Sequence, residues 1–417
     1  MIKGYKAELD PNKKQIGFFR QCAGASRFVF NWGLARWQQI YEDGGKPSAY
    51  SLRKEFNAIK DEQCSWIRAL PYAVIEVAFY DLGIAFQNFF RRVKQGDKPG
   101  YPKFKKHNRK RTFAVRSAKV KRDRIRITHL GWVRLKESDY IPVDGEYTTY
   151  ARFSERAGRW YVAINAKSEI EQPELTGDVV GIDLGLKTRA VFSNGVFFDA
   201  PKATYEYQKK LARAQRELSR RKRAGKNWQK TKRKVQIIHA KIADVRKHWL
   251  HQISHYTTHE LKPSVIVLED LNVSGMVKNH HLAKAVSDAG FFELRRQIEY
   301  KADWLGIEVV IADRWFASSK TCSGCGWKNA NLTLADRVFK CPECGLEIDR
   351  DLNAAQNLAA LVNRQTGGDC LGSCDAVISH CEPGTRQPKL DIRPGCDRVK
   401  SRSSPTVACG SANLTTR

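Results

Sequence analysis

Acidic residues are scarce here: 44 Asp+Glu stand against 73 Lys+Arg in 417 residues, a formal charge of +29 at pH 7. That imbalance excludes an acidic housekeeping enzyme and points to a polyanionic partner. Long apolar runs are missing as well, and no stretch approaches the roughly 18 residues that would span a bilayer. The opening M-I-K-G-Y-K-A-E-L-D-P-N-K-K-Q has no apolar core of a signal peptide, so the expectation is a soluble, cytoplasmic protein without a membrane partner. Cysteine is unevenly placed: of 11, four fall in one tight cluster, five lie after residue 365, and only Cys22 and Cys64 are elsewhere. Such an odd, lopsided set excludes an extracellular disulfide framework. No internal repeat is present. What remains is a 42% hydrophobic chain, long enough for about two to four domains, each with its own core.

The basic surplus is concentrated. Residues 94–126 carry 14 Lys+Arg against Asp97 and Asp123, and residues 209–250 carry 16 against Glu217 and Asp244. Blocks of one sign repel themselves in a compact protein unless phosphates neutralise them, with counterion release as the return. A solvated helix face or an anionic membrane surface would also account for charge alone. Tyr101, Phe104 and Phe113 interleave the first block and no amphipathic anchor accompanies either, which favours nucleic acid. The candidate phosphate contacts are Lys103, Lys105, Lys106, Arg109, Lys110 and Arg111 in the first block, and Arg220, Arg221, Lys222 and Arg223 in the second.

Along the chain, residues 1–18 read as a strand running through Asp10-Pro11-Asn12 into a helix start. Apolar spacing predicts helices over Gln15 to about Glu42, Ser51 to Ala58 and about Tyr72 to Phe90, followed by a Gly/Pro break at 96–103. From Thr112 to about Lys167 short alternating segments with turns at Asp144-Gly145 and Ala157-Gly158-Arg159 predict a small antiparallel barrel, completed by the N-terminal strand. Buried-type strands are expected at Val179 to Leu184, from near Ala190, at Ser264 to Leu268 and at Ile307 to Ala312. Between them lie a long basic helix pair, about Tyr205 to Leu261 and broken near Gly225, and a helix from about Ala289 to Leu305. The last 52 residues, from Thr366, hold four prolines, six glycines and no sustained periodicity, and read as a disordered tail. The tail's cysteines match no metal spacing.

Two constellations carry chemistry. Cys322-Ser323-Gly324-Cys325 is followed after 15 residues by Cys341-Pro342-Glu343-Cys344. Each C-x2-C pair offers two thiolates in one turn, and four thiolates close a tetrahedral sphere, so one structural Zn2+ is expected. The second constellation is dispersed. Asp183 ends the apolar V-V-G-I-D, Glu269 ends V-I-V-L-E, and Asp351 stands at the expected helix start D-R-D-L-N-A-A-Q-N. Singly these read as a turn, a salt-bridge partner and a helix cap. Together, converging acids at strand exits make a hard-oxygen site suited to two Mg2+ ions and phosphoryl transfer.

The ordered set G-I-D-L-G-L-K-T (181–188), V-L-E-D-L-N-V (267–273), S-S-K-T-C-S-G-C-G (318–326), C-P-E-C-G (341–345) and D-R-D-L-N-A-A-Q-N (349–357) closely resembles the transposon-encoded TnpB (OrfB) nucleases, which are related to type V CRISPR effectors. A-S-R-F-V-F-N-W (25–32), N-F-F-R-R-V-K (88–94) and G-Y-P-K-F-K (100–105) extend the likeness over about residues 1–365. The resemblance implies an α/β multidomain protein: an RNase H-like RuvC nuclease domain with an inserted zinc ribbon, an N-terminal β-barrel wedge domain and a helical recognition domain. It implies the boundaries 1–18 for the wedge strand, 19–95 for recognition, 96–175 for the wedge barrel, 176–318 and 348–365 for RuvC, 319–347 for the target-binding ribbon and 366–417 for the tail. It further implies Asp183, Glu269 and Asp351 as catalytic Mg2+ ligands, with D-x-D-x-N-A-A favouring Asp351 over Asp349, and Arg337 as a transition-state contact. The implied activity is RNA-guided DNA cleavage beside a short adjacent motif. The implied partners are a guide RNA from the transposon end and target double-stranded DNA, bound by a monomer. The alternatives are an RNA-guided binder that does not cut, a DNA-joining transposase, and an actin-like ATPase; the last would need a second D-x-G phosphate loop that the sequence does not show.

Overall fold

The computed structural model describes residues 1–107, 110–116, 119–143, 145–170, 172–333 and 335–365, and the backbone alone at 202–206 and 363–365. The chain forms two compact units, Met1–Pro173 with Gln208–Asp244, and Glu174–Tyr207 with the chain from Val245 onward. The expectations for Arg109, for the Asp144 turn and for the tail after residue 365 lie outside the described residues.

In the first unit, β1 (Ile2–Asp10) turns Tyr5, Ala7 and Leu9 inward and the residues between them outward, the period of a half-buried strand. Asn12 then starts α1 (Lys13–Glu42) with a reciprocal cap: its Oδ1 accepts from Gln15 N at 2.9 Å while Gln15 Oε1 accepts from Asn12 N at 3.0 Å. α2 (Ala49–Gln63) is longer than its periodicity predicts, because Ser48 and Ser51 cap it while only Leu52 and Phe56 are buried. A polar helix held by its cap gives little apolar signal. α3 (Ala73–Lys94) is the one helix among the described residues long and apolar enough to cross a membrane. Its Ala78, Phe79, Leu82 and Phe86 are buried against α1, with Trp37 and Phe86 stacked at 3.9 Å.

Six further strands follow: β2 (Thr112–Arg116), β3 (Lys119–Lys121), β4 (Arg124–Ile127), β5 (Gly131–Leu135), β6 (Tyr150–Arg156) and β7 (Arg159–Lys167). With β1 they form an antiparallel sheet in the order β2-β6-β7-β1-β5-β4-β3. The two ends of that order, β2 and β3, are separated by only two residues in the chain, so the sheet must curl until its edges are within reach of one short link. Phe19 of α1 packs on Phe113, Phe153 and Trp160 at 5.5, 5.7 and 5.0 Å, closing the apolar face of the sheet.

The second unit is built on β8 (Val179–Asp183), β9 (Thr188–Phe192) and β10 (Phe197–Asp199). In the chain the basic helices α4 (Lys202–Arg220) and α5 (Lys226–His255) follow, separated near Gly225 as expected and belonging over Gln208–Asp244 to the first unit, and then β11 (Val265–Glu269). Next come α6 (Val273–Lys278), α7 (Ala283–Ala289), α8 (Phe291–Leu305) and β12 (Glu308–Ala312). The chain continues through β13 (Val338–Lys340) and β14 (Glu347–Asp349) into α9 (Arg350–Gln365). The sheet order is β10-β9-β8-β11-β12, antiparallel on the β9 side and parallel from β8 through β12. The parallel strands are near-continuous apolar runs, as a sheet covered on both faces requires.

A buried polar cluster ties α8 to the end of α5. Lys301, nearly fully buried, donates to Ser254 Oγ at 2.7 Å and to the His251 carbonyl at 3.2 Å. With no acid among these partners, burial pushes the Lys301 amine down to about 8. A lowered lysine opposes folding below its folded value and ceases to do so as pH rises towards its unfolded value. Urea midpoints of Lys301→Met minus those of the parent should therefore be most positive below about pH 8 and shrink as pH approaches 10.5. A pH-independent difference would show that Lys301 has the same pKa folded and unfolded, and would refute the downward shift.

Candidate active site and zinc ribbon

β8 and β11 run parallel with Ile182 opposite Leu268, so the next residues, Asp183 and Glu269, leave the sheet side by side at the same end. Both are half-buried. α9 lies against β8 at Gly181, where a Cβ would fall on the Ala355 carbonyl oxygen and 2.9 Å from Leu358 Cβ. Asp351 precedes Ala355 by one helical turn on the same face, which carries it towards Asp183. Burial, with the charges of Glu269 and Asp351 beside it, holds the Asp183 carboxyl well above the usual carboxylate range. Burial also raises Glu269, opposed by the Ser318 hydroxyl, which donates to Oε1 at 2.7 Å, and reinforced by Asp351. The structure thus brings together the three acids singled out in the sequence.

The neighbouring Asp349 is occupied otherwise. Its Oδ1 accepts from Asp351 N at 2.9 Å and Leu352 N at 3.1 Å, which makes it the cap of α9. Asp351 instead receives Arg350 Nη2 on Oδ1 at 2.9 Å, and Arg337 Nη1 stands 3.9 Å from its Oδ2. Three half-buried carboxylates that repel one another fit a hard cation such as Mg2+. They do not close to the 4.8 Å span that the cysteine cluster attains.

That cluster is the one group among the described residues with four ligand atoms so close together. Cys322 Sγ is 3.6 Å from Cys344 Sγ, and Cys325 Sγ is 3.5 Å from Cys341 Sγ. A tetrahedron with Zn–S bonds of about 2.3 Å has edges of roughly 3.8 Å, so the thiolates fit one zinc ion. The two halves repeat one fold. Cys322 N donates to Trp327 O and Gly326 N back to Cys322 O, just as Cys341 N donates to Leu346 O and Gly345 N to Cys341 O. Gly326 and Gly345 sit at φ +82° and +73°, a conformation other residues adopt only under strain.

Two buried asparagines join this ribbon to α9. Asn353 accepts from Ser323 N at 2.9 Å and donates to Thr321 O at 2.7 Å. Asn357 donates to Ser318 O at 2.8 Å and Thr321 O at 2.6 Å. Ser318 is the residue that holds Glu269, so one chain of hydrogen bonds runs from zinc knuckle to carboxylates. The roles of Gly181, Ser318, Asn353 and Asn357 escaped the reading of the sequence. A glycine inside an apolar strand and an Asn pair four residues apart on one helix face were the available signals.

The basic residues divide. Lys103, Lys106 and Lys110 are exposed and have no acidic partner among the described residues, as do Arg220, Lys222 and Arg223. Arg221 pairs with Glu217 at 3.2 Å and Arg111 with Glu155 at 2.6 Å. Lys105 is turned inward, 3.8 Å above the Phe30 ring and 3.7 Å from Asp81, and burial lowers its pKa.

Family models match residues 161–280 ("Probable transposase", OrfB), 291–358 ("Cas12f1-like, TNB domain") and 1–46 ("Helix-turn-helix domain"). The chain is 31% identical over 411 residues to the Escherichia coli K12 protein named "Putative RNA-guided DNA endonuclease InsQ", covering 93% of this chain and 97% of that one. The chain belongs to the TnpB (OrfB) family. A Streptomyces pristinaespiralis member, "Putative RNA-guided DNA endonuclease", is also 31% identical, over 97% of both chains. Beyond TnpB, the "CRISPR-associated endodeoxyribonuclease Cas12f1" of Sulfoacidibacillus thermotolerans is 26% identical over 52% of this chain and 54% of its own. A solved structure, "Cryo-EM structure of CasPhi-2 (Cas12j) bound to crRNA", overlays 86% of this chain and 97% of its own at a TM-score of 0.46 and 11% identity. In this TnpB chain the segment matched as helix-turn-helix is β1 followed by one continuous helix, α1.

Two outcomes follow for the geometry of the site. Gly181→Ala should force α9 off β8, lowering stability by about 1–3 kcal/mol and moving Asp351 away from Asp183; a crystal structure with α9 unmoved would refute the close approach. Replacing Cys322 and Cys325 by Ser should release one zinc per chain and raise hydrogen exchange in the first turns of α9. Metal analysis finding no zinc in the parent, or unchanged exchange in α9, would break the proposed link.

Proposed function

We propose that the chain is a transposon-encoded, RNA-guided DNA endonuclease whose β8–β12 sheet is an RuvC domain of RNase H-like fold. The observation that carries this reading is the convergence of Asp183, Glu269 and Asp351 from β8, β11 and α9 in a member of the TnpB family. The sheet order supports it, with the first strand β8 central, antiparallel strands on one side and parallel strands on the other. In this reading the curled sheet is the wedge domain, α1 to α3 the recognition domain, and the zinc ribbon, between β12 and α9, the target-binding insert.

Asp183, Glu269 and Asp351 would hold Mg2+. Two such ions, when bound, supply an activated water and a neutralised leaving oxygen for phosphodiester hydrolysis. The protein's own part is placement. Ser318 fixes Glu269 Oε1, Arg350 steadies Asp351, and Arg337, exposed beside Asp351, would meet developing phosphate charge. Guide RNA from the transposon end would lie on the exposed cations Lys103, Lys106, Lys110, Arg220, Lys222 and Arg223, while base pairing to target double-stranded DNA supplies specificity.

The test is cleavage of a target plasmid by the chain with transposon-end RNA and Mg2+. Alanine at Asp183, Glu269 or Asp351 should reduce cutting to background and leave RNA affinity within about twofold, since counterion-releasing cations and not these acids hold the RNA. Asp349→Ala should still cut, losing only a helix cap worth about 1 kcal/mol. Cutting by Asp351→Ala, with Asp349→Ala inert, would transfer the third acid to Asp349. A parent protein that binds the target under guide control and never breaks it would overturn the nuclease reading in favour of a non-cleaving binder.

A further inference from the structure

The first unit holds a recess of about 440 Å³ where the β6–β7 hairpin, the segment before β2 and the start of α5 meet. Its wall includes Arg111, Glu155, Gly158, Trp228, Lys232 and Arg233. The one acid there, Glu155, is taken by Arg111 at 2.6 Å. Lys232 and Arg233 have no acidic partner among the described residues, and Lys232 Nζ lies over one face of the Trp228 ring, 4.9 Å from its centre, which leaves the other face for a base.

Arg233 is placed by the turn beneath it. A Cβ on Gly158 would lie 2.6 Å from Arg233 Nη2 and 2.9 Å from both its Cζ and Nε. The guanidinium therefore lies close against the glycine backbone. Gly158, at φ +80°, occupies the left-handed region, so the turn geometry favours glycine, and its bare backbone leaves room for the guanidinium to lie close. The result is a planar cation held over a backbone turn, beside an indole, with two positive charges unbalanced.

We propose that this recess takes one unpaired nucleotide of the guide RNA, its base against the Trp228 indole and its phosphate on Arg233 and Lys232. The proposal rests on the RNA-guided reading above. Cations alone would suit any polyanion. An indole and a guanidinium plane in a recess of this size suit a base that has left its stack, which is how proteins read RNA loops and bulges. Paired bases of duplex DNA cannot enter it, and would present only phosphates.

The probe is the RNA that copurifies with the full-length chain, stripped and added back at several salt concentrations. Trp228→Ala should weaken binding about tenfold without changing the log–log salt slope, and Trp228→Phe should recover most of that loss. Arg233→Gln should lower the slope by about 0.7, one single-strand phosphate contact. Parent-like affinity in Trp228→Ala, or equal losses in the Ala and Phe variants, would overturn the stacking site while leaving guide binding intact. Loss of duplex DNA affinity with RNA affinity retained would overturn it too and assign the recess to the target. A parent chain that binds no RNA would instead remove the RNA-guided reading, and the recess assignment with it.

Discussion

At Gly181 the backbone of a central strand and the backbone of a helix approach so closely that one added carbon would collide with the helix's own carbonyl oxygen. The second unit is organised around that approach. Because α9 can lie directly on β8, an aspartate at the helix start reaches the end of the strand where Asp183 and Glu269 emerge. A larger residue at 181 would hold the helix off by a side chain's width, and the three acids would cease to share one environment. Their shared environment is visible in the upward shifts of Asp183 and Glu269, which express burial and mutual repulsion. The site is therefore under electrostatic tension that a divalent cation would relieve.

The zinc ribbon acts on the same geometry from the other side. Four cysteine sulfurs within 4.8 Å of one another draw the two knuckles together, and they are joined to α9 through Asn353 and Asn357 rather than through apolar packing alone. Hydrogen bonds to backbone carbonyls are directional, so they fix the rotation of α9 about its axis as well as its position. Rotation decides where Asp351 projects from the first turn of the helix, whereas Asp349 lies before it at the end of β14. Capping by Asp349 works in the same sense, since a carboxylate accepting two backbone amides is committed to the helix end. Ser318 closes the circuit by orienting Glu269 from the segment that leads into the first cysteine pair.

Much of this was legible in the sequence. Apolar runs ending in Asp183 and Glu269 mark buried strands whose exits carry acids, and paired C-x2-C motifs mark a metal knuckle whatever surrounds them. Asp10-Pro11-Asn12 announces the start of α1 because Asn12 can cap and Gln15 can answer it. Other features are three-dimensional facts with no local signal. α6 and α7 are six and seven residues long, too short for periodicity to declare them. Lys105 reads as one more cation in a basic block, and only the fold sets Asp81 and the Phe30 ring against it. Between the two aspartates two residues apart only the family likeness favours Asp351, and the fold adds the backbone amides that Asp349 caps. Gly181 looks like a weak point in a strand until the helix that covers it is known.

The central claim is that β8, β11 and α9 deliver their acids to one cation site, with Asp349 excluded from it. Anomalous diffraction from crystals of the protein grown with Mn2+ in place of Mg2+ addresses that claim without reliance on activity. Manganese density should be bounded by the carboxylates of Asp183, Glu269 and Asp351, with Asp349 still capping α9. Density ligated by Asp349 in place of Asp351, or no density between the three acids at saturating Mn2+, would contradict it.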